Sequence, residues 1–593
     1  MSGARRLAAP LACLWLLVAA SAHAVAERYH VIVVGSEPEA IAAAVAAAES
    51  GARTLLVTPD RRLGGLLVVG AMNVLDVRLT PVNYQRGLFE RWWREVGRGY
   101  AFDVERGERA FAGLLAGAGV EVRLDAGPLA PLMDGDRVVG VRLGTGEALL
   151  AEQVIDGTAD ADLAAAAGAR SSFGFASIGL QARMADTLVF RIDDVDWDAL
   201  RRGVRARGRS YAFADERVAY GHFAGHPAAY PVSTPQLRLR GLNLGRQDDG
   251  SVLVNALLIY DLDPFDPASL AQGRDIAAAE VPAIIEWLAQ DLPGFERARP
   301  GGVADALYVR QTRHLAARCV LGIDQVLDNV VTETDVAAGG YPLDVQTLRP
   351  SDDGFVFGLP EVYGARLCMA VPRDVDGVWV VGRSAGFDAI AQSSARVVPF
   401  GMVFGEAVGV AAAVAAALGR SPADVAADPG LVRDIREALA TRGAYLPSVR
   451  PRAPVGPVTH PRYDDYRAVL RWGLAVGGYD NDPRLDTPAS RTSLLFMLSN
   501  VLQRAFGDGA AGPRLVARFG LDAGALEPDV AARIVAAALC EVERCPAGDA
   551  WADLRAAGLH VAEPQRQLLR GDVYALAAFV LDGRRPDPIT TAR

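Results

Sequence analysis

The chain has 593 residues, 51% of them hydrophobic, with 61 basic against 71 acidic residues and a net charge of -10. That length allows several domains, and the acidic balance speaks against nucleic acid as a partner. All the basic residues are arginine, and none of the 5 cysteines lies in the C-x-x-C runs that iron–sulfur clusters need.

In chain order, residues 1–24 read as a secretory signal peptide. Arg5 and Arg6 form the charged start, and Leu7 to Ala20 is apolar but short for a membrane span. Ala22-His23-Ala24 is an A-x-A cleavage site. The expectation is an exported protein, in the periplasm or at the cell surface of a bacterium, with no transmembrane segment after cleavage.

The stretch Tyr29 to Gly65 reads as strand, tight turn, helix, strand and a second glycine pair. Val31 to Val34 is apolar and β-branched, as suits a parallel strand buried on both faces. Gly35 follows where the backbone must turn. Glu39 to Ser50 is alanine-rich and should be helical, with Pro38 in the first turn and Gly51 beyond its end. Thr54 to Val57 is the second strand. This order is that of a dinucleotide-binding unit, in which a diphosphate lies over the helix start. The G-x-G-x-x-G fingerprint is degenerate, with Gly35 in the first position, Glu37 in the second and Ala40 in the third. A carboxylate at Glu37 is unfavourable beside a diphosphate. Thr58 stands where an acidic residue is expected, and Asp60 is the nearest substitute for the ribose contact.

Further on, Val120 to Leu124 and Arg137 to Leu143 alternate apolar and polar residues and predict a hairpin region. Leu188 to Ile192 and Ser251 to Asn255 are strand-like, and Asp275 to Leu292 is helical. These lie in an expected inserted domain. Val378 to Val381 is an apolar strand ending at Gly382. Gly401 to Leu418 is a long helix of small residues. Pro447 to Pro461 holds five prolines and reads as a linker. Beyond it, Tyr463 to Trp472 is an amphipathic helix, and another runs from Thr487-Pro488-Ala489-Ser490-Arg491 to Phe506. Cys540 and Cys545 are spaced for a local disulfide or remain two thiols.

GSEPEAIAAA…LLV…LGG resembles the FAD-dependent oxidoreductase family that includes relatives of the heterodisulfide reductase flavoprotein subunit, whose usual form is GGTPAGIAAA…LLVE…LGG. Matching segments follow in order. Val154 to Ala164 is similar to IDATGDGDLA, Tyr308 to His314 to VRETRR, Val380 to Arg383 to LLVAGR, Arg396 to Pro399 to RVMP, and Gly405 to Gly409 to GQAAG. The resemblance spans roughly residues 28 to 446. It implies an α/β fold with a Rossmann-like FAD-binding domain in two parts (25–185 and 301–446) and an inserted α+β substrate domain (186–300). After the linker (447–461), residues 462–593 form a mostly α-helical domain. Leu474 to Asp486, with Thr487 to Arg491, resembles an S-layer homology repeat in its GL…GY…D-x-R-x-D…TR order. Trp551 to Leu559 with Leu569-Arg570 is a weaker echo. That likeness implies a cell-wall polymer as a possible partner.

The family resemblance assigns FAD as cofactor, held by Gly35, Ser36, Glu37, Pro38, Ala40, Asp60, Leu63, Gly64, Gly65, Asp156, Thr158, Asp162, Gly382, Arg383, Arg396 and Val397. The start of the Gly401 helix would favour the negative charge of a reduced flavin ring, with Arg396 adding a cation. Gln392-Ser393 and Cys368 stand where the family has other residues. Arg313, His314, His222 and Arg396 are the candidate catalytic groups, and Arg310 shares the Arg313 motif. Arg313 could instead form an internal pair with Asp305 or Asp324. His222 and His226 have the spacing of metal ligands, but Gly225 and Pro227 argue against the helix that would align them, and no metal is expected. The expected function is transfer of a hydride from a small organic substrate to flavin, with the acceptor open. The alternatives are an NAD-dependent dehydrogenase and a cell-envelope binding protein whose flavin fold is vestigial.

Overall fold

The computed structural model describes residues 27–561 and 567–587; the expectations for residues 1–24 lie outside them. The apolar run becomes β1 (Glu27–Val34), the alanine-rich stretch α1 (Pro38–Glu49) and the next run β2 (Thr54–Val57). β1 and β2 pair in parallel, Val31 opposite Thr54 and Val34 opposite Val57. All of these residues are buried, as a strand pair covered on both faces requires. A single turn of helix, α2 (Gly65–Val68), follows.

The first sheet adds β3 (Glu121–Arg123), β4 (Leu129–Asp134), β5 (Arg137–Leu143) and β6 (Ala148–Asp156), in the order β3-β2-β1-β6-β5-β4. The hairpin region expected over residues 115–160 is present, though Val120 to Leu124 is not part of the hairpin itself. β3 lies parallel to β2 at the sheet edge, and the hairpin forms between β4 and β5. Alternation marks a half-exposed strand but says nothing of its neighbour.

The insert is a second sheet, wholly antiparallel: β7 (Asp186–Asp193), β8 (Ala212–Ala214), β9 (Val218–Gly221), β10 (Leu237–Leu239), β11 (Leu242–Arg246), β12 (Val252–Ile259) and β13 (Arg299–Val303). Their order is β8-β9-β11-β12-β7-β13, with β10 also on β12. The helix α3 (Pro267–Ala289) packs on β7 and β13. The chain then returns to the first sheet as β14 (Val378–Val380), parallel to β6. It continues into α4 (Val398–Leu418), which lies along α1. Small residues permit that contact, since a side chain on Gly405 or Gly409 would run into the α1 backbone at Glu39 or Ala43. α4 is long and apolar enough to cross a membrane, but most of it is buried inside the protein.

The C-terminal helices include α5 (Tyr463–Leu470), α6 (Arg491–Phe506), α7 (Pro528–Glu541) and α8 (Arg570–Leu581). Arg467 anchors them to the rest of the chain. It reaches Asp324 at 2.6 Å and Asp328 at 2.7 Å, at the short helix Ile323–Leu327. Residues 447–461 lie against the same place, with the Val455 N–H donating to the Leu327 carbonyl at 2.8 Å. Arg467→Ala strands two half-buried carboxylates, and we expect it to cost about 2 kcal/mol. Urea unfolding, with proteolysis near residues 447–461 as a second readout, checks this.

Two disulfides are present, Cys540–Cys545 and Cys319–Cys368. The second joins residues 49 apart, and nothing in the spacing foretold it.

Candidate functional site

At the end of β1 the chain turns on Gly35, with φ +115°, and a Cβ there would strike the Gly157 carbonyl beyond β6. Glycine alone satisfies both conditions. Glu37 precedes α1 but caps nothing in it. Its carboxylate crosses instead to accept the Leu66 N–H at 3.0 Å, while the Gly64 N–H donates to the Ser36 carbonyl at 2.8 Å. The two glycine turns are thereby laced together. The third fingerprint glycine is Ala40, and its methyl fits because Gly157 opposite has no side chain.

The glycines expected to make room for a cofactor make room for carboxyls. A Cβ on Gly65 would fall within the Glu37 carboxyl, and one on Gly401 would fall on the Glu39 carboxyl. One on Gly382 would come within 4.0 Å of Glu39. Burial, with Glu37 beside it, pushes Glu39 up to about 8. Burial also raises Glu37, opposed by the Leu66 N–H and Arg383 and reinforced by Asp60 and Asp160. Arg383, on the turn after β14, pairs with Asp160 at 2.6 Å.

The backbone fits a dinucleotide, because the tight turn, the N-terminus of α1 and the flanking glycines are in place. Two carboxyls decide the rest. Ionised, they would repel a diphosphate; neutral, each offers an O–H donor to a phosphate oxygen. Their upward shift favours the neutral form, and in that form the residues fit FAD.

Beside this cradle lies a chamber of about 540 Å³, within the size range of small-molecule sites. Its walls come from Met72–Arg78, the insert sheet, Tyr341–Asp344 and Arg396, which immediately precedes α4. Arg310 is only 4% exposed. It donates to the Ala185 carbonyl at 2.9 Å and Thr187 Oγ1 at 2.6 Å, and its guanidinium stands 4.1 Å over the Tyr308 ring. Arg396 donates to the Tyr308 hydroxyl at 2.6 Å. Burial, aided by Arg396 and Arg240, pulls Arg310 down to about 10. Asp76 opens to the chamber, with Arg396 and Tyr341 acting on its carboxyl.

A loop of the C-terminal region closes one side. Gly477 and Gly478 donate to the carbonyls of Phe357 and Val356 at 3.1 and 2.9 Å. Asn481 accepts the Leu359 N–H at 2.7 Å and donates to the Leu359 carbonyl at 3.0 Å. Tyr479 between them lines the chamber.

Of the candidate catalytic residues, Arg396 lines the chamber and the other three do not. Arg313 forms an internal pair, with Asp162 at 2.7 Å rather than with Asp305 or Asp324, and lies over the Phe265 ring. Asp324 is taken by Arg467 and Arg471. His314 is buried, held at about 4 chiefly by that burial, with Gln311 beside Nε2, and it does not line the chamber. His222 is exposed on the insert. His226 stacks on Trp287 and contacts its carbonyl at 2.9 Å.

Among the cofactor candidates, Gly35, Ser36, Glu37, Pro38, Gly64, Gly65 and Gly382 surround the cradle, and Val397 caps α4. Asp60 accepts the Ser36 and Thr58 hydroxyls at 2.6 and 3.0 Å. Leu63 is buried, with its N–H bonded to Glu108. Asp156 accepts from Thr158 N, Thr158 Oγ1 and Ala164 N, at 3.0, 2.7 and 2.7 Å. Asp156, Thr158 and Asp162 thus have protein partners for their side chains. Gln392 is likewise internal, donating to the Arg310 carbonyl at 3.0 Å.

Tyr308, Asp76, Tyr341 and Tyr479 went unrecognised in the sequence. Tyr308 and Arg310 carry a usable signal, because alternate residues of an extended segment share a face.

A family model described as FAD dependent oxidoreductase matches residues 30–439. No curated protein matches the chain. Among solved structures it is similar to a geranylgeranyl bacteriochlorophyll reductase-like protein from Thermoplasma acidophilum, with 14% identity and a TM-score of 0.32 over 70% of this chain and 84% of that one. It is similar to p-nitrophenol 4-monooxygenase PnpA from Pseudomonas putida DLL-E4, with 12% identity and a TM-score of 0.35 over 70% and 89%. The flavin-dependent brominase Bmp2 is similar at 13% identity and a TM-score of 0.36, over 70% and 85%.

Proposed function

The chain belongs to the FAD dependent oxidoreductase family, with FAD as its cofactor, and from that premise we propose that it is an exported enzyme taking a hydride from a small organic substrate in the Arg396 chamber. The carrying observation is adjacency. Arg396 lines the chamber and is followed at once by α4, whose Gly401 borders the cradle.

FAD, when bound, supplies two-electron redox chemistry. The protein's part is to bind, orient and move a proton. Loss of a hydride from a substrate C–H turns an alcohol or amine carbon into C=O or C=N and leaves one proton on the O–H or N–H. Asp76 is the acceptor for that proton. Its carboxyl lines the chamber, within reach of a substrate held there. Arg396 and Tyr308 orient the substrate. The resemblance to heterodisulfide reductase flavoprotein relatives supports hydride chemistry. The two disulfides support an oxidising compartment and therefore export.

Anaerobic addition of hydroxy acids, sugars and amines tests the reading. At least one class should bleach the bound flavin, and Asp76→Asn should slow bleaching by about 100-fold. Purified protein that is colourless and takes up no FAD would refute it.

The S-layer homology resemblance supports a second reading, a wall polymer held by the C-terminal region. Against it, Gly477, Gly478 and Asn481 of the resembling loop are engaged on residues 356–359.

A further inference from the structure

The chamber's charge is one-sided. Arg78, Arg240, Arg310 and Arg396 line it against Asp76 and Asp344. Neither Arg310 nor Arg396 has a carboxylate within salt-bridge distance among the described residues, and the Nε of each is buried with no acceptor. A buried guanidinium without a counter-ion is costly. Around Arg310 nothing relieves it, since that side chain is served by a carbonyl, a hydroxyl and a ring face, whereas the half-buried Arg396 is supported at longer range by Tyr308, Asp344, Tyr341 and Asp76. The rest of the lining is aromatic and polar, with Tyr308, Tyr341 and Tyr479 on one side and Asn243 and Asn255 on the insert sheet.

We propose that the chamber selects an organic carboxylate, whose charge is held by Arg310 and Arg396 and whose body is covered by Tyr479 from the C-terminal loop. The planar guanidinium fork matches a carboxylate, and the tyrosines present ring faces with hydroxyl edges for a hydroxylated body. Tyr479 is 62% exposed and lines the chamber, while the backbone around it is fixed by Gly477, Gly478 and Asn481. The C-terminal region is thus part of the substrate site. This inference rests on the reading that the chamber is where substrate meets FAD.

The test is binding to the full-length protein, followed by calorimetry and by perturbation of the flavin absorption. The probes are 4-hydroxybenzoate and glucuronate, with 4-hydroxybenzamide and glucose as their uncharged counterparts. At least one acid should bind, and at least tenfold more tightly than its neutral counterpart. Which acid binds tells an aromatic body from a sugar. Arg396→Gln should weaken the acid by roughly tenfold or more. Tyr308→Phe, which removes the hydroxyl holding Arg396 without emptying the core, should weaken it in the same direction. Tyr479→Ala, at an exposed site, should weaken acid and neutral body alike. The inference is overturned if neither acid binds, if the neutral compounds bind equally well, or if Arg396→Gln and Tyr308→Phe both leave the acid's affinity within about twofold. Flavin content is read on the same samples. Flavin-free protein that still prefers the acids upholds the carboxylate site and sinks the oxidoreductase reading.

Discussion

FAD should dissociate progressively from the native protein as pH rises through about 8, and a Glu37→Thr/Glu39→Ala variant should not show this loss. A diphosphate held at the start of α1 would lie beside the Glu37 and Glu39 carboxyls, and would bind better the more they are protonated. Glu39 stands at about 8 before FAD is present, and a neighbouring diphosphate pushes it higher. Binding therefore takes up a proton above pH 8. With that one group, the affinity should fall about tenfold from pH 7 to pH 9, following the protonated fraction. At pH 9 the double variant should bind FAD on the order of tenfold more tightly than the native protein. Titration of flavin-free protein, followed by flavin fluorescence at several pH values, measures this directly. A native affinity that stays flat across the range would mean the carboxyls swing clear of the diphosphate.

The same groups bear on stability without FAD. Glu39 is raised in the folded state above its unfolded value. The folded protein therefore holds more protons than the unfolded chain between about pH 4.5 and 8. The benefit is complete below that window and is lost as pH rises through about 8. Glu39→Gln should flatten that part of the profile.

Opening the Cys319–Cys368 disulfide should cost about 4 kcal/mol, from the entropy of closing a loop of that length. Opening Cys540–Cys545, which closes a far shorter loop, should cost about 2 kcal/mol by the same relation. The long-range bond ties residues 316–321 to 367–373. There the Arg318 N–H also donates to the Val371 carbonyl and the Gly386 N–H to the Met369 carbonyl, both at 2.8 Å. Gly386 lies four residues beyond Gly382, so Cys319→Ser/Cys368→Ser should also loosen FAD, whereas Cys540→Ser/Cys545→Ser should not. Denaturant midpoints with and without reductant, and flavin retained after gel filtration, separate the two bonds. Equal losses from both double variants would mean that the long bond adds no constraint of its own.

Local pattern was enough for the β1–α1–β2 unit, because burial on both strand faces and alanine-rich helix propensity act within a few residues. It was also enough for the β14 strand, the α4 helix and the change of character after residue 447. The partner of β3 was not legible, since alternation shows which face is buried but not which strand lies alongside. Arg313 and His314 were favoured over Tyr308 and Asp76 because they look reactive in isolation. Whether such a group faces a chamber or the core depends on what is packed over it.

The residues alone determined the fold class, the FAD family and the anomaly at Glu37, each written in contiguous runs whose chemistry is local. Tertiary structure alone decided that Gly65 and Gly401 shelter carboxyls, that Cys319 meets Cys368, and that Tyr479 from the far end of the chain stands over the chamber. Those outcomes join groups tens to hundreds of residues apart, and their energies depend on enclosure and neighbouring charge, which exist only once the chain has folded.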